Sequence, residues 1–522
     1  MTSDGPSALD RRPVLGNRLT ALTGWQRALM ALTAGAVMTL GHAPVYLPWG
    51  LFIAFPLVVM LAMAAPSPRA ACLIGWCTGF GYFVTGLHWI GHAFLVDPER
   101  HAWMMPFAVT LLPAFLALFW AGAFALARRL RRDHAMAQVV IFAGCLTAVE
   151  LLRGHILTGF PWALPAYVWV DTPILQSASW AGPYGLTWVM SVLTALPLIA
   201  LVGRRFDIAA AALAAVAMLW IWGANRVPDE ITPHADGPIV RVVQPNAPQH
   251  QKWKSDYVDL FYQRLITLTA QPGEGGQRPD VVIWPETSVT FLPAREPDRL
   301  AEIAAAAGGA TVILGALHAE DREEGGYDLT NSIVTILPDG RLGPRYDKHH
   351  LVPFGEYLPF SWLLTPLGLS QIAMGGGFTE GPGPSNMSVA GLPAFAAAVC
   401  YEMIFPGAIV GGGERPDWIV TVTNDAWFGG FAGPQQHRDQ ARFRAVEQGL
   451  PVARAANTGI SSIIDMYGRP LGEINLHHAG VFEAQLPVAS LGTPYSQVGD
   501  FLAIILCIGS FSVFFVIGSS RK

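Results

Sequence analysis

The sequence predicts an α-helical membrane bundle of about eight transmembrane helices joined to a single exported α/β domain. Three observations carry that prediction. Hydrophobic residues make up 52% of the 522-residue chain and charged residues only 14%, against the roughly one-quarter charged composition of ordinary soluble domains. Long uncharged runs crowd the first 225 residues, whereas 225–497 has the texture of a globular sequence. Within that second stretch, short β-rich runs alternate with helical ones, the pattern of layered sheet and helix.

A bilayer core of ~30 Å needs ~20 apolar residues per helix. Eight segments qualify: 28–45, 49–65, 70–95, 103–127, 135–152, 173–202, 206–223 and 499–518. The division that follows is 1–224 as a seven-helix bundle, 225–497 as the exported domain, and 498–522 as a final helix and tail. Charge tests the sidedness, because cytoplasmic loops retain Lys and Arg. With the N-terminus inside, thirteen of the fifteen basic residues outside 225–497 fall on the cytoplasmic side, and only Arg100 and Arg153 on the other. The 225–497 domain then follows the seventh crossing, in the periplasm of a bacterial inner membrane. No small-residue cleavage site follows the first apolar run, so it is expected to stay as an anchor. The exported stretch carries 18 Lys and Arg against 29 Asp and Glu, which argues against a nucleic-acid partner. Glu150 and Arg153 are helical i,i+3 neighbours at a span end, followed by Gly159-Phe160-Pro161-Trp162; an ion pair and an interfacial tryptophan account for them, with a lipid-handling surface that contacts substrate as the alternative.

Cysteine usage narrows the chemistry. Cys72, Cys77, Cys145 and Cys507 lie inside apolar runs, where a thiol packs as a small hydrophobe. Cys400 alone lies in the exported stretch. One cysteine builds neither an internal disulfide nor a multi-cysteine zinc site, so Cys400 is either inert core or a reactive thiol.

Strands are expected at 239–243, 281–284, 311–314, 332–337, 395–400, 418–422 and 461–466, and helices near 251–270, 297–307 and 434–449. Three polar residues stand at the ends of apolar strands, where open α/β sheets place ligands. Glu286 ends Val281-Val282-Ile283-Trp284-Pro285-Glu286, in which the proline halts the ladder. Lys348 lies in Tyr346-Asp347-Lys348-His349-His350, and Cys400 closes Ala396-Ala397-Ala398-Val399-Cys400. Singly, a surface Glu, a solvated Lys and a buried strand Cys need no function. Together they form one chemistry: a thiolate nucleophile, a carboxylate that takes and returns its proton, and an ammonium that stabilises thiolate and oxyanion. The adjacent histidines 349 and 350, on an extended segment, point to opposite faces, which favours structural roles over a metal site.

In order and flanks, these blocks resemble the nitrilase superfamily. The blocks are Gln244-Pro245-Asn246, Trp284-Pro285-Glu286, Lys348 through Pro359, Cys400-Tyr401-Glu402 and Asn424-Asp425-Ala426-Trp427-Phe428-Gly429. With the membrane spans added, the whole chain resembles the apolipoprotein N-acyltransferase family. The resemblance implies a nitrilase-like αββα sandwich with a Glu286, Lys348, Cys400 catalytic triad. It also implies auxiliary or substrate-binding positions at Glu356, Tyr401, Glu402 and Trp253, Glu356 orienting the lysine and the first carboxylate. The implied reaction moves an acyl chain from the sn-1 position of a phospholipid, typically phosphatidylethanolamine, to the cysteine. From there it passes to the α-amine of a diacylglyceryl apolipoprotein.

The apolar stretch Trp362 through Leu369, ending in Gly375-Gly376-Gly377, is too short to span and too apolar for an ordinary loop; it is expected to be a mobile arm that dips into the outer leaflet. A metal cluster, a Walker loop and a dinucleotide fingerprint are all missing from the sequence, so neither metal nor other cofactor is expected, and the protein is expected to act as a monomer. Two other classes share part of the pattern: a membrane-anchored nitrilase-type amidase shares the triad, and a non-catalytic lipid- or lipoprotein-binding membrane protein shares the spans.

Overall fold

A computed structural model describes residues 19 and 21–519, apart from 133, 235, 274–275, 323–324 and 368–376. Helices stand at all eight segments expected to span. Among the described residues four are long and apolar enough to cross a membrane: Pro98–Arg129, Ala135–His155, Pro173–Val202 and Phe206–Arg226. A fifth is formed if Pro68–Gly86 and His88–Leu95, bent by 47°, count as one span. The expected count of eight is therefore not reached by helix length. Apolar composition runs on where the helix does not: Gly24–Met38 is 15 residues long and gives way to a short 3-10 turn, Thr39–Gly41, ahead of Pro44, which cannot continue a helix. Pro48–Ala64 is likewise short, and of the last helix, Phe501–Ser519, the stretch Phe501–Phe514 counts as a shorter apolar helix.

Small residues let the first helices touch backbone to backbone. A Cβ added at Gly35 would lie 2.0 Å from the Thr78 carbonyl oxygen, and one at Gly81 would lie 2.1 Å from that of Leu32. Within a bilayer such close approach replaces the hydrophobic drive that lipid does not supply.

The α/β part is built from two six-stranded sheets. The first contains β1 (Ile239–Gln244), β2 (Val281–Trp284), β3 (Thr311–Asp321), β4 (Tyr327–Ile336), β5 (Leu342–Asp347) and β12 (Gly480–Gln485), in the order β12-β1-β2-β3-β4-β5. The second contains β6 (Asn386–Met387), β7 (Phe395–Val399), β8 (Trp418–Thr423), β9 (Val452–Ala456), β10 (Ser461–Ile464) and β11 (Pro470–Ile474), in the order β11-β10-β9-β8-β7-β6. In each, three parallel strands, β1-β2-β3 and β7-β8-β9, form the centre and antiparallel strands close the edges.

Strand alternation sorts the side chains into layers. Val240, Val242, Ile283 and Ile313 meet Ala397, Val399, Val420 and Val422 between the sheets. On the other face of the first sheet, Val282, Trp284, Val312 and Leu314 pack on Leu265, Leu300 and Ile303 of the helices Ser255–Ala270 and Pro297–Ala307. The outer face of the second sheet, Ala396, Ala398 and Ile419, packs on Ala441 and Ala445 of Gly433–Gln448. The result is the expected helix-sheet-sheet-helix sandwich.

Gly433–Gln448 is also the seam with the bundle. Gln436 accepts from the indole N–H groups of Trp89 (3.2 Å) and Trp162 (2.8 Å), and donates to the carbonyls of Ala43 and Gly86. Trp162 is thus 1% exposed, packed into the seam and not at a lipid interface as its sequence context suggested. Glu150 and Arg153 are a buried ion pair. Arg153 also donates to the carbonyls of Phe160 and of Trp162 (2.9 Å), and Trp120 donates to Glu150 at 2.5 Å. The pair thereby shapes the loop on which the catalytic domain rests.

Candidate active site

Each of the three strand-end residues leaves its strand at an abrupt break. Pro285 ends β2, and the chain turns through Glu286 and Thr287, the latter at φ 44°. The turn lies against Gly315 of β3, where a Cβ would stand 2.5 Å from the Glu286 Cα; only glycine permits that approach. Lys348 directly follows β5, its N–H donating to the Asn331 carbonyl at 2.9 Å. Cys400 follows β7 at φ 50°, a left-handed conformation that a non-glycine residue holds at a cost. It opens the short turn Cys400–Ile404.

These breaks converge on one buried cluster. Lys348 Nζ lies 2.8 Å from Glu356 Oε2, 2.9 Å from Glu356 Oε1 and 3.7 Å from Glu286 Oε1. Between the two carboxylates sits Asn331 of β4, donating from Nδ2 to Glu286 Oε1 (2.7 Å) and to Glu356 Oε1 (3.0 Å). Glu356 Oε2 also accepts from the Val352 N–H at 2.8 Å. Burial works against the Lys348 ammonium, but Glu356, Glu286 and Cys400 outweigh it and hold its pKa above the ordinary lysine range. Burial pushes the Cys400 thiol upward, Glu286 adds to the rise and Lys348 opposes it. The resting thiol is therefore protonated, within electrostatic reach of the Glu286 carboxylate.

Glu402 does different work. Its Oε1 accepts from Tyr346 Oη (2.8 Å), His349 N–H (2.8 Å) and His350 N–H (3.2 Å), and lies 2.7 Å from His349 Nδ1; its Oε2 accepts from Val399 N–H at 2.6 Å. Burial disfavours this carboxylate, yet the His349 and Val399 contacts bring its pKa below the usual value. It clamps the lysine segment to the cysteine turn and has no free face for substrate. The two histidines diverge: His350 stacks on Phe405 at 3.6 Å and its Nε2 reaches the Thr158 carbonyl at 2.9 Å. Tyr401 sends its hydroxyl to the Gly159 carbonyl at 3.3 Å, so its side chain braces the bundle seam. Trp253 is 40% exposed and makes no hydrogen bond to Glu286, Lys348 or Cys400 among the described residues.

Behind Cys400, a second buried group supports the turn. His437 Nε2 lies 3.0 Å from the Cys400 carbonyl and Nδ1 lies 2.8 Å from Asp425 Oδ1, while Arg454 holds Asp425 Oδ2 at 2.6 Å. Asn424 bridges Gln249 and Asn457, and Asn246, at φ 50°, donates to the His477 carbonyl at 2.6 Å. No group of three or more His, Cys, Asp and Glu among the described residues could hold a metal ion. The cluster can do acid–base and nucleophilic acyl chemistry with its own side chains. Asn331 and Lys252 were missed from sequence. Asn331 is a mid-strand amide with no local signal, whereas Lys252 directly precedes Trp253.

A model described as apolipoprotein N-acyltransferase N-terminal domain matches residues 34–196, and one described as carbon-nitrogen hydrolase matches residues 239–493. An apolipoprotein N-acyltransferase of Rhodopseudomonas palustris is 40% identical over 521 residues, covering 95% of this chain and 97% of that protein. One of Bradyrhizobium diazoefficiens is 41% identical, covering 96% of each. One of Brucella melitensis is 41% identical over 492 residues, covering 91% of this chain and 92% of that protein.

Proposed function

The chain belongs to the apolipoprotein N-acyltransferase family, and from that premise we propose that Cys400 carries the acyl group between a phospholipid and a lipoprotein. The protein is a bacterial membrane enzyme of N-acyl transfer in lipoprotein maturation. The observation that carries the cysteine's role is its place: a buried thiol on a left-handed turn, coupled to Glu286 and Lys348.

In the first half-reaction Cys400 Sγ attacks the sn-1 ester carbonyl of a phospholipid, phosphatidylethanolamine being the donor, as its proton passes to Glu286. Lys348 and the backbone N–H of Tyr401 face the oxyanion; one such donor is worth ~3 kcal/mol in related chemistry. The ester C–O bond breaks, Glu286 returns the proton to the departing oxygen, and a lysophospholipid leaves a thioester. In the second half-reaction the α-amine of an S-diacylglyceryl cysteine attacks that thioester. Its proton goes to Glu286, the amide forms, the C–S bond breaks, and Cys400 recovers its proton. Because burial favours the protonated thiol, proton transfer accompanies attack by the sulfur in the first half and its departure in the second.

The remaining parts of the proposal concern setting. All eight apolar segments enter or cross the inner membrane, 1–224 and 498–522 forming the bundle and 225–497 facing the periplasm, and a monomer suffices. The arm begins with Phe360, Trp362 and Leu363, which are 50%, 76% and 49% exposed; residues 368–376, including Gly375 and Gly376 of the triple glycine, lie outside the described residues. An exposed apolar run of this kind enters lipid. Replacing Trp362, Leu363 and Leu364 by Ser is expected to slow acyl loading from vesicles roughly tenfold or more. The melting temperature and loading from detergent-dispersed lipid should hardly change; equal loading from vesicles by both proteins would remove the arm from the mechanism.

The reading as a whole is tested by reconstituting the protein with phosphatidylethanolamine isotopically labelled in its sn-1 chain and an S-diacylglyceryl-cysteine peptide. The expected product is the labelled N-acyl peptide with one lysophospholipid per turnover. Label released only as free fatty acid would instead support a hydrolase, and no release at all a binding protein. Relatives that match along nearly the whole chain, bundle included, favour neither alternative.

A further inference from the structure

The site holds a second buried lysine. Lys252 closes the four-residue helix Gln249–Lys252 after β1 and is 4% exposed. Its Nζ donates to the Glu286 carbonyl at 3.1 Å and to Thr287 Oγ1 at 2.8 Å. It therefore grips both residues of the turn that presents the triad carboxylate, including Thr287, whose left-handed backbone needs outside support. Burial depresses its pKa to about 8, while Glu286 and Cys400 act in the opposite direction, so the ammonium lies within electrostatic reach of both reacting groups.

Charge balance shows what this ammonium adds. Lys348 is bonded to Glu356 at 2.8 Å and stands 3.7 Å from Glu286, so one cation serves two buried carboxylates. A buried carboxylate without its own counter-charge is costly. Lys252 supplies the second cation, on the backbone side of Glu286.

We infer that Lys252 is a positioning residue for the acyl-transfer reaction: its ammonium fixes the Glu286–Thr287 turn and serves as the counter-charge that keeps Glu286 competent as the base. This rests on the assignment of Glu286 and Cys400 proposed above. Substrate need not touch Lys252 for the inference to hold.

The test uses the full-length protein in phosphatidylethanolamine vesicles and follows the acyl adduct on Cys400 by mass spectrometry as a function of pH. Removing a neighbouring positive charge favours the protonated carboxyl, so the acid limb of loading should move to higher pH by about one unit in Lys252→Met. Loading on the acid side of the limb should then fall roughly tenfold, with much of it recovered at higher pH. Lys252→Arg keeps the charge and should return the limb to its wild-type position, even if the larger head slows the plateau rate. The limb's position does not depend on how much variant protein folds, and Thr287→Val, which deletes one acceptor and no charge, should lower the rate without moving the limb. A loss in Lys252→Met that is equal at every pH, or no loss, overturns the inference while leaving the triad intact. Failure of the wild type to form any adduct on Cys400 overturns the triad assignment and this inference with it.

Discussion

Glu286→Gln is expected to slow acyl loading of Cys400 by about 10²–10⁴-fold, the usual weight of a general base. The amide is isosteric and its oxygen can still accept from Asn331 Nδ2, which now bonds Glu286 Oε1 at 2.7 Å, so the turn should keep its shape. What is lost is the acceptor for a thiol proton that burial holds in place. Single-turnover loading from phospholipid, read as the acyl-adduct mass, measures the effect directly. Phospholipid binding and melting temperature should stay near the wild-type values. A loss in loading that scaled with a loss in melting temperature would mean that Glu286 is a structural residue and not the base.

Lys348→Met is expected to damage both chemistry and stability. Lys348 is fully buried and is the only cation bonded to Glu356 among the described residues. Removing it leaves Glu286 and Glu356 facing each other through Asn331. Breaking a buried pair by deleting one partner costs about 3–5 kcal/mol, which should appear as a much lower melting temperature in detergent. The sign with pH follows from like-charge repulsion. With the ammonium gone, the repulsion between the two carboxylates is relieved when either of them takes up a proton. The deficit relative to wild type should therefore shrink as the solution is acidified below neutral. Acyl loading should fall by 10² or more, as when one oxyanion donor is removed. A stable variant with intact loading would leave the lysine without a role in the site.

How much of this was legible in the sequence depends on the range of the interactions. The sandwich was legible because strand and helix periodicity are local, and the apolar runs at 281–284, 395–400 and 418–422 all became central strands. Glu286, Lys348 and Cys400 could be picked out because each ends a strand and carries a recognisable flank. Asn331 could not be, because its partners Glu286 and Glu356 are brought to it only by the assembled sheet. Lys252 was hidden for the same reason: it sits on a four-residue helix, and its function depends on a carbonyl 34 positions away.

Trp162 was assigned to a lipid interface on the strength of its span-end position, yet the indole is consumed by Gln436, across the seam. Gly433–Gln448 shows why a composition-based picture fails there. The helix carries Gln436, His437, Asp439, Arg442, Arg444 and Glu447, all buried, because each finds a partner such as Asp425, Tyr46, Asp171 or Tyr167 in another segment. Helix length among the described residues does not bear out eight spans, because hydropathy counts apolar residues, whereas crossing a bilayer as one helix also requires unbroken backbone hydrogen bonding. The Thr39–Gly41 turn and Pro44 interrupt it where the apolar run continues.

The central claim is that the acyl group rests on Cys400 between donor and acceptor, and a pulse-chase on the purified protein tests it most directly. Phospholipid labelled in its sn-1 chain is supplied alone, the protein is digested, and the Cys400 peptide is weighed; S-diacylglyceryl-cysteine peptide is then added. The account predicts one labelled acyl chain on Cys400, sensitive to hydroxylamine as a thioester is, that disappears on the chase as labelled N-acyl peptide forms in equal amount. An unmodified Cys400, with transfer persisting in Cys400→Ala, would contradict it.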